Sequence, residues 1–158
     1  MNAKPIIFDG HNDLLARLWL SSADDPVHDF IYGTLPGHLD LKRCRQTGWM
    51  GGLFSIFLPP YAYVKNNHPD KLSNPSNSDF TPQEIVDICC AQLELAQQLE
   101  ARSDGQIRIC TSVAQIRACQ QNQQLAIVLH LEGAEFLAIE PELLDVFYEA
   151  GLRSIGPL

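Results

Sequence analysis

Little in this 158-residue chain favours a nucleic-acid surface, a disulfide scaffold or a membrane span. It holds 11 basic residues against 19 acidic ones, a net charge of −8, and no basic run occurs anywhere. A nucleic-acid surface needs a cationic patch to displace counterions, so no nucleic-acid partner is expected. The acidic residues are scattered, which reads as a solubility feature rather than a recognition device. The five cysteines, Cys44, Cys89, Cys90, Cys110 and Cys119, are odd in number and lack Cys-x-x-Cys spacing. They read as free thiols of a reducing compartment. No apolar stretch is long enough to span a bilayer, and residues 1–5 show no leader pattern. The expectation is a cytoplasmic protein with no membrane partner. No glycine-rich phosphate loop follows a predicted strand, which disfavours a nucleotide-binding doubly wound domain.

What is present is an ordinary globular composition, 46% hydrophobic and 19% charged. The length suits one domain over residues 1–158 with a real core. Pro5 to Phe8 predicts a buried strand, and Leu14 to Leu20 continues as a short apolar segment. Ser21 to Gly37, with Asp24-Asp25-Pro26 and Pro36-Gly37, reads as a loop. Asp40 can cap a short helix over Leu41 to Gln46, closed by Gly48. Trp49 to Leu58 predicts the second strand, where Gly51-Gly52 suggests a bulge or a close backbone approach.

Pro59 to Asp79 holds four prolines and four asparagines and shows no apolar period. Such a long loop reads either as a functional lid or as a surface insertion. Thr81-Pro82-Gln83-Glu84 is a strong helix start with a capping box. The helix should run to about Arg102, with Ile85, Ile88, Cys89, Leu93, Ala96 and Leu99 as its apolar stripe. A short third strand is expected over Ile107 to Cys110. A helix follows over Ser112 to Gln120, with Val113, Ile116 and Cys119 facing inward. Leu125 to Leu131 is almost wholly apolar, as for a parallel strand buried on both faces. A helix from Pro141 to Ala150, with Leu143, Leu144, Phe147 and Tyr148 available to pack, leads to a fifth strand from Leu152.

Strands alternating with helices predict an α/β fold with a parallel sheet. A complete (β/α) barrel takes about 250 residues. This chain therefore reads as about the first half of a TIM-like (β/α)8 barrel.

Chemistry-bearing residues sit at two strand ends. In Asp9-Gly10-His11-Asn12-Asp13, alternation sets Asp9, His11 and Asp13 on one side. An imidazole with hard carboxylate oxygens suits zinc and its neighbours. The bland reading is a polar turn closing a strand. His130-Leu131-Glu132-Gly133 repeats the theme on the fourth strand, with His130 and Glu132 on one face. In a barrel, groups at the C-terminal strand ends converge on the active site, so Glu132 could meet His11 and Asp13. Its bland reading is a solvated loop carboxylate. His130 reads as a packed or hydrogen-bonded strand residue rather than a ligand, and His28, His38 and His68 fall in early loops.

Four segments together resemble the membrane dipeptidase (renal dipeptidase) family, peptidase family M19. They are Asp9-Gly10-His11-Asn12-Asp13-Leu14, Gly51-Gly52-Leu53-Phe54-Ser55, Leu131-Glu132-Gly133-Ala134, and Tyr148-Glu149-Ala150-Gly151-Leu152-Arg153. The resemblance implies a metallo-dipeptidase hydrolysing dipeptides, including those with a C-terminal D-residue. It implies two zinc ions (Zn2+), with His11 and Asp13 on one metal and Glu132 as the catalytic bridge to both. Asp9 takes a supporting role by that pattern. The family's remaining histidines, Asp and Arg belong to later strands, which have no counterpart in these 158 residues. The expected chain is thus inactive alone, and a homodimer is implied only by the habit of the family. Two rivals remain: another barrel metal hydrolase of amidohydrolase type, which would usually open with His-x-His, and a non-catalytic binding or assembly module.

Overall fold

A computed structural model describes residues 5–157. It is an α/β fold around a five-stranded, all-parallel sheet. The strands are β1 (Ile7–Asn12), β2 (Trp49–Ile56), β3 (Ile107–Ile109), β4 (Leu125–Glu132) and β5 (Leu152–Gly156). The helices are α1 (Leu14–Leu20), α2 (Pro26–Tyr32), α3 (Leu41–Thr47), α4 (Tyr61–Asn67), α5 (Pro82–Arg102), α6 (Val113–Gln121) and α7 (Leu143–Glu149). Short 3-10 turns cover Pro69–Lys71 and Glu135–Ala138.

β4 organises the sheet. β2 pairs with one of its edges from Gly51↔Ala126 to Ile56↔Leu131. The other edge is shared end to end. β3 pairs with Leu125 to Ile127, and β5 pairs with Leu129 to Glu132. The short third strand is therefore not interposed between its neighbours in sequence. With three residues it cannot match the six-pair register that β2 and β4 make directly.

Alternation on β4 divides the molecule. Leu125, Ile127, Leu129 and Leu131 are buried in the main core with Phe54 and Ile56 of β2. Helix α5 covers that core with Val86, Cys89, Leu93, Ala96 and Leu99, and α1 adds Leu14, Leu15 and Leu18. Thr81 and Glu84 cap α5 reciprocally, as the sequence predicts. Glu84 also reaches outward. One carboxylate oxygen accepts from the backbone and hydroxyl of Ser73, the other from the backbone and hydroxyl of Thr81. Burial raises its pKa, but these four hydrogen bonds outweigh it and hold the carboxyl at about 2. Further along α5, the buried Gln92 amide donates to the Phe57 carbonyl and accepts from its N–H at 2.7 and 3.2 Å. It satisfies the backbone just past β2, where the ladder has ended.

Gly48 takes φ +79 at the end of α3, the left-handed cap predicted for it. The glycine pair in β2 answers a close approach. A Cβ on Gly52 would stand 2.7 Å from the Asp9 carbonyl oxygen, beside the irregular register of β1 against β2. α5 and α6 follow their predicted bounds closely.

Other expectations are corrected. Ser21 to Gly37 contains α2, because Asp25 accepts from the His28 N–H and Pro26 sits at the first helical position. Val27, Phe30 and Ile31 supply its buried face. Pro59 to Asp79 contains α4, with Val64 buried. Val113 points outward, as do Leu144 and Tyr148, whereas Cys119 and Phe147 are buried. The first strand is not buried, and Ile7 and Phe8 are exposed. Among the described residues β1 has a partner strand on one edge only.

Candidate metal centre

The site is built where β1 and β4 end on the same side of the sheet. β1 stops because Asn12 turns the chain. Its Nδ2 donates to the Leu53 carbonyl of β2 at 3.1 Å, and its Oδ1 accepts from the Leu14 N–H at 3.3 Å. Asn12 thereby does the capping at the start of α1. Asp13 occupies the cap position without a side-chain capping bond, so its carboxylate is free for other work.

That carboxylate meets His11, whose Nε2 lies 2.9 Å from Asp13 Oδ1 and 3.5 Å from Glu132 Oε2. The three residues, predicted from separate strand ends, offer donor atoms within 4.8 Å of one another. His130 is not in this group, and neither are Asp9, His28, His38 and His68. Asp9 instead accepts from the His11 backbone N–H at 3.3 Å, steadying the turn.

Ser55 is the residue that the sequence reading did not single out. It is fully buried, and its Oγ lies 3.1 Å from His11 Nδ1. For Nε2 to hold a cation, Nδ1 must carry the ring proton and donate it to Ser55 Oγ. A hydrogen bond at the remote nitrogen is what fixes the tautomer and ring plane of a metal-binding histidine. The available signal was a lone hydroxyl within the apolar run Leu53-Phe54-Ser55-Ile56. His130 is held in the same way, with Nδ1 2.8 Å from Ser154 Oγ of β5. It is a hydrogen-bonded strand residue, as expected.

The donor set fits a zinc-class ion. It combines one imidazole nitrogen with two carboxylates, each partly open to solvent. Ligand atoms about 2.0–2.2 Å from one tetrahedral ion stand about 3–3.5 Å apart, close to the 2.9 and 3.5 Å that separate His11 Nε2 from the two carboxylates. The cysteines play no part. All five are free thiols, and burial pushes Cys44, Cys89 and Cys110 up to about 12. The Pro59 to Asp79 segment is fastened elsewhere. Tyr61 and Lys65 donate to the Asn77 carbonyl, and Ser73 is tied to Glu84. Among the described residues, no hydrogen bond joins it to His11, Asp13 or Glu132.

Known proteins share this fold. A metallopeptidase from Rhodobacter sphaeroides, solved with a phosphinate mimic of the dipeptide L-Ala-D-Ala, superposes with a TM-score of 0.80 at 28% identity. The match covers 99% of this chain and 46% of that one. The dipeptidase AC, a metallopeptidase of family M19, gives a TM-score of 0.79 at 28% identity, covering 99% and 43%. An uncharacterized protein from the PQQ-III 3′ region of Acinetobacter calcoaceticus is 60% identical over 152 residues, 96% of this chain and 48% of the relative. The fold is thus of the TIM-barrel type of these dipeptidases, and the chain spans about half the length of the proteins it matches. The membrane dipeptidase family, peptidase family M19, matches residues 1–157, and the chain belongs to that family.

Proposed function

We propose that this chain carries part of the active site of a zinc-dependent dipeptidase. The convergence of His11, Asp13 and Glu132 within 4.8 Å, from strands far apart in sequence, carries the reading. His11 Nε2 and Asp13 would hold one ion, and Glu132, with two oxygens to share, would bridge to a second. Zinc bound there would polarise the scissile carbonyl and lower the pKa of a water towards ~7. Ser55 keeps the His11 ring in the ligating tautomer. Asn12 and Asp9 hold the turn that presents Asp13.

Dipeptides are the proposed substrates, including those with a C-terminal D-residue. The L-Ala-D-Ala mimic carried by the Rhodobacter sphaeroides relative supports that choice. The chain by itself is proposed to be inactive. Among the described residues one imidazole and two carboxylates converge, too few donors to complete two four-coordinate ions.

Zinc content and Gly-D-Ala hydrolysis, measured on one preparation each of this chain and of the full-length gene product, test the proposal. Zinc with turnover in the full-length protein, and no turnover here, is the expected result. Neither zinc nor turnover in either preparation would overturn it.

A further inference from the structure

A second imidazole stands beside the candidate centre and is built in the same way as the first. His11 and His130 each bond through Nδ1 to a serine hydroxyl on a neighbouring strand, Ser55 and Ser154 respectively. In the sheet register His130 pairs with Ser55 on one side and Ser154 on the other. The four side chains therefore form one polar row across the face of the sheet that also carries Glu132. The two rings meet edge to face, with centroids 6.4 Å apart and planes at 75°. That is a favourable arrangement for an aromatic pair. A ring on a mid-sheet strand has apolar alternatives that would pack as well. Here its orientation is fixed by a hydrogen bond instead.

We propose that His130 is a positioning residue of the metal centre. Clasped by Ser154, it buttresses the His11 ring so that Nε2 stays aimed at Asp13 and Glu132. It acts through His11 and not as a ligand, because its nitrogens lie outside the converging donor set. The arrangement ties β5 to the ligand on β1 across the width of the sheet. This inference rests on the metal reading above and adds a residue to it.

Cobalt(II) titrated into the metal-stripped full-length gene product, followed by its visible absorption, tests the inference. Outer partners of metal ligands commonly hold 10- to 100-fold in affinity. His130→Ala should weaken cobalt(II) binding by about tenfold and shift its absorption bands, at unchanged far-UV circular dichroism. Ser154→Ala should do the same to a smaller degree. The double variant should be no weaker than His130→Ala alone, since both changes release one unit. Should His130→Ala not fold, Ser154→Ala carries the test. Affinity and spectrum equal to the unsubstituted protein in every folded variant would overturn the positioning role while leaving the metal centre standing. An unsubstituted protein that binds no cobalt(II) would overturn the metal reading itself, and this inference with it.

Discussion

The two faces of β4 do different work. Leu125, Ile127, Leu129 and Leu131 point into the helix-covered core and are almost fully excluded from water. Ala126, Val128, His130 and Glu132 point the other way, and they become polar and more open towards the C-terminal end of the strand. One face holds the fold and the other carries the proposed metal centre, because side chains alternate along a strand. A carboxylate can thus be kept partly hydrated at a strand end whose adjoining residue is buried. Substitutions on the two faces should separate stability from metal binding.

The largest effect is expected on the core face. Leu129→Ala leaves a cavity in the main core and should cost about 2–5 kcal/mol, read as a lower denaturation midpoint. Metal affinity of the molecules that remain folded should be unchanged. If Leu129→Ala spares stability, the division between the faces is wrong.

On the opposite face, Glu132→Gln removes the charge of the proposed bridge and leaves the volume. In the full-length protein it should strip both ions and reduce turnover by orders of magnitude, with the thermal midpoint of the metal-free protein unmoved. Asp13→Ala should deplete one ion only. Full zinc occupancy in either variant would remove that residue from the ligand set. Ser55→Ala should lower zinc affinity about 10- to 100-fold through the freed His11 ring, measured by competition with a chelator.

A smaller effect belongs to the clip at the start of α5. The Glu84 carboxyl is depressed to about 2 in the folded chain, from an ordinary value of 4.5. Its stabilisation is therefore fully present above about pH 5 and is lost as the pH falls towards 2. Glu84→Gln should cost about 1 kcal/mol at neutral pH and flatten stability against pH in that acid window. An unchanged acid limb would show that the four hydrogen bonds do not hold in solution. Smallest of all, Val113→Ser should stay within about 0.5 kcal/mol, because the side chain is exposed.

The same contrast explains what could be read from the sequence. Helix α5 was legible because its capping box and apolar stripe are local signals. Gly48 and the Gly51-Gly52 pair were legible because only close approach or positive φ demands glycine there. The convergence of Asp13 with Glu132 could be inferred from strand ends sharing one side of a sheet. α2 was hidden, since Asp25-Pro26 serves equally as a turn and as a helix start, and its burial comes from distant partners. The placement of β3 was hidden for the same reason. Pairing along half of one edge of β4 is a property of the sheet, not of Ile107 to Ile109. Ser55 escaped because a hydroxyl in a strand acquires meaning only once His11 is beside it.

The most direct test of the metal centre is a zinc-soaked crystal of the full-length protein, with anomalous scattering recorded at the zinc edge. The account predicts a peak about 2.0–2.2 Å from His11 Nε2 and from carboxylate oxygens of Asp13 and Glu132. No density between these three residues in zinc-replete crystals would contradict it.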